Sequence, residues 1–182
     1  HIVSQLPELM TQWTHAGIRA EQVAYIFTAI SDAVTARLIE LFIQQHGAAP
    51  TAFSWLGFGS QGRTEQLLGG DQDNGLLIAD DLNNDDAMWF KQLAHWVCDG
   101  LNECGYIYCP GKVMATTDEW RQTLAGWKHT VNQWTQTPTP GAVMRVSIFF
   151  DLRVVYGDES LGKQLHQHML EHASGNSIFL AA

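Results

Sequence analysis

The chain has 182 residues, of which 46% are hydrophobic and 16% are charged, a composition typical of one compact globular domain, alone or with a small appendage. It excludes a disordered or fibrous chain as a global description. The 10 Lys and Arg residues against 19 Asp and Glu give a formal net charge of −9, which argues against a broad surface for the nucleic-acid backbone.

Two features of the composition bear on the cellular setting. Residues 41–62 contain no Asp, Glu, Lys or Arg, but glutamines, a proline and several glycines interrupt them, so they predict no membrane helix. The cysteines Cys98, Cys104 and Cys109 lack the paired C-x-x-C form of a zinc site, and we expect reduced buried thiols in a cytoplasmic protein. Because the sequence begins at His1 and stops in an apolar run, we expect a fragment of a longer chain.

The first third of the chain has a helical pattern. Apolar residues recur at three- and four-residue steps over residues 23–42 and predict a long amphipathic helix, with Gly47 as its stop. A second helix is expected over residues 2–13. We therefore assign residues 1–48 to an N-terminal helical segment and residues 49–182 to the main domain.

The middle of the chain predicts strands and one further helix. The apolar runs 53–58 and 75–79 predict two buried strands that flank a glycine-rich turn. Apolar periodicity predicts a helix over residues 85–104, and residues 106–109 suit a short strand. Strands interleaved with helices in this way favour a mixed fold class.

The last third predicts two helices around a third strand. Residues 116–119 have the form of a capping box and predict a helix that begins there. Its apolar stripe is more typical of a core than of a platform for stacked bases; the stripe comprises Trp120, Leu124, Trp127, Val131 and Trp134. Residues 143–151 predict a third strand and residues 161–172 a last helix.

Two carboxylates lie at the approach to the second predicted strand. Alternate residues of a strand share a face, so Asp71 and Asp73 project together while Gln72 points away. Adjacent carboxylates repel unless a cation lies between them. The usual cation is Mg²⁺, which binds through one or two protein carboxylates plus substrate phosphates.

The third predicted strand offers a further carboxylate. By the same alternation, Arg145 and Asp151 lie on its polar face. If this strand pairs near Asp71 and Asp73, Asp151 completes a three-carboxylate cluster able to hold two metal ions about 3.5 to 4 Å apart. Arg145 would then contact phosphate, or form a plain ion pair with a nearby acid.

The glycine-rich turn suits phosphate. Gly59, Ser60 and Gly62 lie where a strand gives way to a short helix, so backbone N–H groups are available to phosphate oxygens, with Ser60 as an added donor. Arg63 can neutralise a triphosphate tail. Glu65 either contacts the ligand or pairs with Arg63 and shapes the loop.

Two other patterns in the sequence suggest alternative sites. Residues 57–62 satisfy the dinucleotide-binding pattern G-x-G-x-x-G, and Asp80 falls near the distance expected of a ribose-binding acid. Only residues 63–74 separate the last glycine from the next strand, too short for a crossover helix, which disfavours a dinucleotide fold. His168 and His172 share a helix face, which we interpret as an exposed polar face and not a metal site.

The motifs together resemble a known superfamily. Gly59-Ser60, ten intervening residues, Asp71-x-Asp73 and a later aspartate are similar to the nucleotidyltransferase superfamily with the DNA polymerase β type of catalytic domain. The fuller string over residues 59–74 looks like nucleotidyltransferases related to the N-terminal domain of protein-PII uridylyltransferase. These are often joined to CBS and cyclic-nucleotide-binding modules. The likeness runs from about residue 18 to 172 and includes Cys109-Pro110-Gly111.

The resemblance implies a fold and a function. It implies an α+β fold with a small mixed β-sheet backed by helices, and Mg²⁺, as two ions, held by Asp71, Asp73 and Asp151. The reaction implied is transfer of a nucleoside monophosphate from a nucleoside triphosphate to an acceptor, such as a protein, in a signal-transduction protein with regulatory modules upstream. The alternative is a catalytically silent nucleotide-binding regulatory module. The expected nucleotide contacts are Gly59, Ser60, Gly62, Arg63, Glu65 and Arg145; no nucleic acid or membrane partner is expected.

Overall fold

The computed structural model describes residues 8, 12–13, 15, 17–67, 69–136 and 139–173. The helix expected over residues 2–13 falls largely outside this part of the chain. Helix α1, Ala20–His46, confirms the long amphipathic helix, and the backbone N–H of Gly47 donates to the Ile43 carbonyl where it ends. Its buried positions repeat at short steps of one to four residues, as the packed stripe of a helix does: Val23, Ala24, Phe27, Thr28, Ser31, Thr35, Ile39 and Phe42.

A mixed four-stranded sheet forms the centre of the fold. Its strands are β1 Phe53–Gly57, β2 Asn74–Ile78, β3 Arg121–Thr123 and β4 Arg153–Gly157, in the spatial order β3-β2-β1-β4. Strand β1 runs antiparallel to both β2 and β4, whereas β2 and β3 are parallel. Both β1 and β2 are buried along their whole length, as their continuous apolar runs predicted. The expected α+β class with a small mixed sheet is confirmed.

The remaining helices cover this sheet. They are α2 Gly59–Gly62, α3 Asn84–Glu103, α4 Leu124–Gln136, α5 Pro140–Phe150 and α6 Glu159–Ala173. One cluster of buried apolar side chains joins the sheet to α1, α3, α4, α5 and α6. The predicted helices over residues 85–104 and 161–172 are therefore confirmed as α3 and α6, with small shifts at their ends.

The predicted third strand over residues 143–151 is wrong. Those residues lie in α5, apart from the residue that follows its end. The Thr139 side chain accepts a hydrogen bond from the Ala142 N–H at 3.2 Å, and Pro140 occupies the first turn, so a capped helix begins here. The strand on this side of the sheet is β4, which begins at Arg153. The alternation that put Arg145 and Asp151 on one strand face is therefore corrected.

The helix predicted from residue 116 begins later, at Leu124. Residues Asp118–Trp120 form a short 3₁₀ turn, and the edge strand β3 follows it. Parallel pairing of Arg121–Thr123 with residues 76–78 holds this segment beside β2 as a strand. The Arg121 guanidinium also donates to the carbonyl oxygen of Ala115 at 2.8 Å. The interpretation of the tryptophan stripe as core is confirmed; Trp120, Trp127 and Trp134 are at most 9% exposed.

Helix α1 packs directly on the rest of the fold. The Trp96 indole N–H donates to the Leu38 carbonyl at 3.1 Å, which joins α1 to α3. The division of the chain at residues 48 and 49 stays a prediction. Among the described helices, none has both the length and the apolar composition needed to cross a membrane.

Candidate active site

Asp71 and Asp73 lie immediately before β2, where sheet pairing continues past the end of the strand. The Phe58 N–H donates to the Asp73 carbonyl at 2.9 Å, and the Gln72 N–H donates to the Ile107 carbonyl at 2.9 Å. The short strand expected over residues 106–109 is reduced to a single bridge between Asp71 and Ile107. Burial alternates along this segment, since both aspartates are partly exposed and Gln72 is 2% exposed.

A thiol joins the two carboxylates. Asp71, Asp73 and Cys109 each offer one ligand atom, and these atoms lie within 4.8 Å of one another. The Cys109 Sγ donates to Asp73 Oδ1 at 3.2 Å. Within the described part of the chain, this is the one group of three such side chains close enough to hold a metal ion. The Asp151 carboxylate takes no part in it.

A tight turn brings Cys109 to this position. The Lys112 N–H donates back to the Cys109 carbonyl at 2.9 Å, and Lys112 adopts a left-handed φ of 58°. The Asn74 N–H then donates to the Val113 carbonyl at 3.0 Å, which ties the turn to β2. Sequence reasoning interpreted Cys109 only as a buried thiol; its signal was its place in the Cys-Pro-Gly string.

Two buried amides hold this loop against the aspartates. The Gln72 side-chain N–H₂ donates to the carbonyls of Cys98 and Tyr106 at 2.9 and 2.8 Å. The Asn74 side-chain oxygen accepts from the Ala115 N–H at 2.9 Å. Gln72 and Asn74 therefore point away from the carboxylates and position the segments that surround them.

The electrostatics favour a bound cation. Burial raises the pKa of the Asp73 carboxyl; the Cys109 hydrogen bond opposes this, and the charge of Asp71 adds to it. Burial also raises the pKa of the Cys109 thiol, to about 11, so near neutral pH the thiol is neutral and donates to Asp73. A positive charge between the carboxylates would relieve both the burial penalty and the repulsion.

The glycine turn lies against these carboxylates. Helix α2 follows β1 directly, and Gly59 has a φ of 51°. A Cβ atom at Gly59 would lie 2.9 Å from Asp73 Oδ2, so this position has room only for glycine. The first backbone N–H groups of a helix have no intrahelical partner. In this turn they are the N–H groups of Gly59 and Ser60, at the start of α2 beside Asp73. Ser60 is partly exposed.

An ion pair between Arg153 of β4 and Asp32 of α1 supports the glycine turn. The Arg153 guanidinium donates to the Gln61 carbonyl at 3.0 Å and to both carboxylate oxygens of Asp32, at 2.8 and 3.0 Å. The Gln61 side chain donates to Asp32 Oδ1 at 3.1 Å. The sequence analysis assigned no role to Asp32, whose signal was an acid beside the buried stripe of α1. It also assigned none to Arg153, whose signal was its place two residues after Asp151.

The structure brings Arg63, Glu65 and Asp151 together on the other side of the turn. Arg63 donates to Glu65 Oε2 at 2.9 Å and to Asp151 Oδ2. Asp151 follows the last residue of α5, and its carbonyl lies so close to Gly62 that a side chain there would collide with it. Asp151 is therefore adjacent to the glycine turn, and its position is set by the end of helix α5 and not by a strand.

Arg145 is engaged elsewhere. Its Nε atom lies 2.6 Å from Glu119 Oε1, and both side chains are more than a third exposed, at 38% and 44%. The plain ion pair considered for Arg145 is thus present. A contact between Arg145 and phosphate stays a prediction.

The comparison with known families agrees with this arrangement. The sequence matches the family described as "Putative nucleotidyltransferase DUF294" over residues 4–141. The chain belongs to this family. The matched span includes the glycine turn, Asp71, Asp73 and Cys109, and it ends before Asp151. No curated protein matches the chain.

Membership in this nucleotidyltransferase family indicates an enzyme of the transferase class with a nucleotide substrate. Phosphoryl and nucleotidyl transfer generally use a divalent cation. The donor set of two carboxylates and a thiol within 4.8 Å fits such a cation, because Asp73 lacks a positively charged partner in the hydrogen bonds and ion pairs of the described residues.

Proposed function

We propose that this domain is a Mg²⁺-dependent nucleotidyltransferase that moves a nucleoside monophosphate from a nucleoside triphosphate to an acceptor. The observation that supports it is the position of the Asp71 and Asp73 carboxylates, which lie beside the Gly59 turn within one partly exposed site. A nucleotidyl-transfer site needs carboxylates that bind the metal ion and hydrogen-bond donors that bind the phosphates. Family membership supports the same reaction class.

Each residue has a role in this proposal. Asp71 and Asp73 would hold Mg²⁺, which when bound orients the triphosphate, activates the acceptor hydroxyl and stabilises charge on the departing pyrophosphate. The backbone amides of Gly59 and Ser60, with the Ser60 hydroxyl, would hold phosphate oxygens. The expected contact from Gly62 would need a change at its N–H, which donates to the Phe58 carbonyl at 2.9 Å. Arg63 would neutralise the phosphate tail.

Arg63 and Asp151 would exchange partners on binding. In this structure the Arg63 guanidinium pairs with Glu65 and Asp151. A triphosphate on the turn would compete with these carboxylates for the guanidinium. Release of Asp151 would leave its carboxylate free to join Asp71 and Asp73 as the third acidic ligand. Glu65 would keep one edge of Arg63 oriented toward the turn.

The finer assignment rests on the resemblance of residues 59–74 to relatives of protein-PII uridylyltransferase. We propose uridylyl or adenylyl transfer to a protein side chain, within a longer cytoplasmic signal-transduction protein that also carries CBS or cyclic-nucleotide-binding modules. The thiols Cys98, Cys104 and Cys109 are unpaired, as expected in that setting. The acceptor would meet the open side of the site.

Calorimetric titration with each nucleoside triphosphate in Mg²⁺ tests the binding half of the proposal. We expect the wild-type domain to bind at least one triphosphate, and the double variant Asp71→Asn/Asp73→Asn to bind it at least about tenfold more weakly. The matched control is Asp85→Asn, an exposed aspartate in the first turn of α3. Equal binding by the double variant and the control would contradict the metal role.

Release of labelled pyrophosphate in the presence of the native acceptor tests the transfer half. Pyrophosphate release that is lost in Asp71→Asn supports the enzyme. Tight Mg²⁺-dependent triphosphate binding with no release, by the full-length chain and its acceptor, would instead identify the catalytically silent regulatory module.

A further inference from the structure

The candidate metal site contains a soft ligand atom that Mg²⁺ chemistry does not require. The Cys109 Sγ lies 3.2 Å from Asp73 Oδ1, and the ligand atoms of Asp71, Asp73 and Cys109 are mutually within 4.8 Å. The 3.2 Å separation of sulfur and oxygen suits one metal ion with bonds of about 2.0 to 2.3 Å. The 4.8 Å limit on the three separations lies slightly beyond the roughly 4.6 Å that two such bonds span. The three side chains therefore form a converging set of two oxygens and one sulfur.

The position of the thiol is built by the fold. Cys109 is 7% exposed, and its N–H donates to the Met114 Sδ at 3.4 Å. The left-handed backbone of Lys112 closes the turn that directs this segment back toward β2. A thiol held in this way reaches Asp73 without any rearrangement of the loop.

The other two thiols provide a contrast. The Cys98 Sγ lies 3.5 Å from the Asn74 side-chain oxygen and faces the buried amides. Cys104 is partly exposed near the end of α3. Neither belongs to a group of three metal-ligating side chains within the described residues. In the described part of the chain, Cys109 is the one thiol that lies with two carboxylates.

Ligand chemistry decides which cations such a set prefers. Mg²⁺ takes oxygen ligands and keeps several waters, so it gains nothing from sulfur. Zn²⁺ accepts thiolate, imidazole and carboxylate, and a site with three protein ligands leaves its fourth position open to water or substrate. Thiolate ligands select such thiophilic ions.

We propose that Cys109 is the third protein ligand of a thiophilic divalent cation, such as Zn²⁺ or Cd²⁺, bound with Asp71 and Asp73, and that this ion displaces Mg²⁺. On binding, a metal–sulfur bond forms, the S–H bond breaks and the proton leaves to solvent; no electron is transferred. The inference rests on the proposed function only in placing the catalytic cation at Asp71 and Asp73. It makes Cys109 the residue that sets the metal preference.

Titration of the chelator-treated chain with Cd²⁺ tests the proposal, because a cadmium–thiolate bond has a charge-transfer absorption in the ultraviolet. We expect the band to reach its maximum at one equivalent of Cd²⁺, to persist in Cys104→Ser and to disappear in Cys109→Ser. Asp73→Asn keeps the thiol but should weaken Cd²⁺ binding by about 10- to 100-fold, at least the loss seen when outer-shell partners are removed. A band that survives in Cys109→Ser, or unchanged affinity in Asp73→Asn, would overturn the proposal.

A second measurement needs no variant. Zinc X-ray absorption on the wild-type chain loaded with one equivalent should show one sulfur neighbour at about 2.3 Å together with lighter ligands at about 2.0 to 2.2 Å. A coordination shell of nitrogen and oxygen alone would refute a Cys109 ligand, even if Cys109→Ser does not fold.

The outcomes separate this inference from the proposed function. Triphosphate binding in Mg²⁺ by the wild-type chain reports on the proposed function, whereas the cadmium–thiolate band reports on Cys109 as a ligand. A cadmium–thiolate site in a chain that binds no triphosphate would refute the proposed function alone. Triphosphate binding in a chain without that site would refute the inference alone.

Discussion

Replacing Asp73 by Asn should stabilise the metal-free protein. Asp73 is partly buried, and its pKa is raised by that burial and by the charge of Asp71. In the absence of a cation the fold therefore carries a carboxylate whose ionised form is penalised. The neutral amide of Asn occupies nearly the same volume and removes both penalties, so the variant trades cation binding for stability.

The geometry sets the size of the effect. Ligand oxygens of Asp71 and Asp73 lie within 4.8 Å, so their repulsion amounts to about 1 kcal/mol in water and about 3.5 kcal/mol at an effective dielectric constant of about 20. The Cys109 hydrogen bond loses its charged acceptor in the variant, although the amide oxygen still accepts, and this offsets about 1 kcal/mol of the gain. We expect a net gain of about 1 to 2 kcal/mol, or roughly 2 to 8 °C in the unfolding temperature.

Thermal unfolding in chelator and in excess divalent cation measures this directly. In chelator, Asp73→Asn should unfold at a higher temperature than the wild type. On addition of the cation the wild type should gain stability, because the ion binds only the folded state, whereas the variant should gain much less. Asp85→Asn, which also removes one negative charge, should behave as the wild type in both conditions.

The pH dependence has a definite sign. A carboxyl whose pKa is raised in the folded state holds its proton more tightly there than in the unfolded chain, so its contribution favours the fold at low pH. That contribution is lost as the pH rises through the folded pKa. The two unfolding temperatures in chelator should therefore converge as the pH falls from about 7 to about 4. The reasoning would be refuted if Asp73→Asn were less stable than the wild type in chelator at pH 7. It would also be refuted if the cation raised the unfolding temperature of both proteins equally.

Three further predictions concern residues around the glycine turn. Asp151→Asn removes a competitor for the Arg63 guanidinium. In the presence of chelator, calorimetry should therefore show triphosphate binding that is about two- to fivefold tighter, the factor expected for an exposed ion pair. Arg153→Gln leaves Asp32 with the Gln61 hydrogen bond but without its cationic partner. It should lower the free energy of unfolding in urea by about 1 to 3 kcal/mol, since both side chains keep some exposure. Gln72→Leu removes the side-chain donor to the carbonyls of Cys98 and Tyr106 and should cost about 1 to 3 kcal/mol in the same assay.

Matched variants control these measurements. Arg37→Gln breaks an exposed pair with Glu40 and should change the free energy of unfolding by less than about 0.5 kcal/mol. Gln44→Leu changes an exposed glutamine of α1 and should be close to neutral. Weaker triphosphate binding by Asp151→Asn in chelator would show that Asp151 does not compete for Arg63. Costs for Arg153→Gln or Gln72→Leu no larger than those of their controls would show that the buried networks contribute little.

Much of the fold was predictable because its signals are local. Helix α1 has an apolar period and a glycine stop, and β1 and β2 are short apolar runs bounded by turn residues. Helix α5 has two patterns at once. Met144, Val146 and Ile148 alternate as in a strand, whereas Ala142, Val146 and Phe149 follow helical spacing and are the residues that become buried. The start at Thr139 and Pro140 decides between the patterns.

The candidate site also has a part that local sequence patterns predict and a part that they do not. The glycine turn and the aspartate pair were found because their spacing is short and strand geometry relates them. Cys109 meets Asp73 across 36 positions, and Arg153 meets Asp32 across 121, through contacts that only the folded chain creates. Asp151 was expected near the site through strand pairing, but it reaches the glycine turn from the end of a helix.

The most direct test of the account is a crystal of the domain soaked with Mn²⁺ and a non-hydrolysable nucleoside triphosphate. We predict an anomalous manganese peak bonded to carboxylate oxygens of Asp71 and Asp73, with the phosphates on the amides of the turn at Gly59 and Ser60. Manganese bound away from these two carboxylates, or a triphosphate seated elsewhere on the domain, would contradict it.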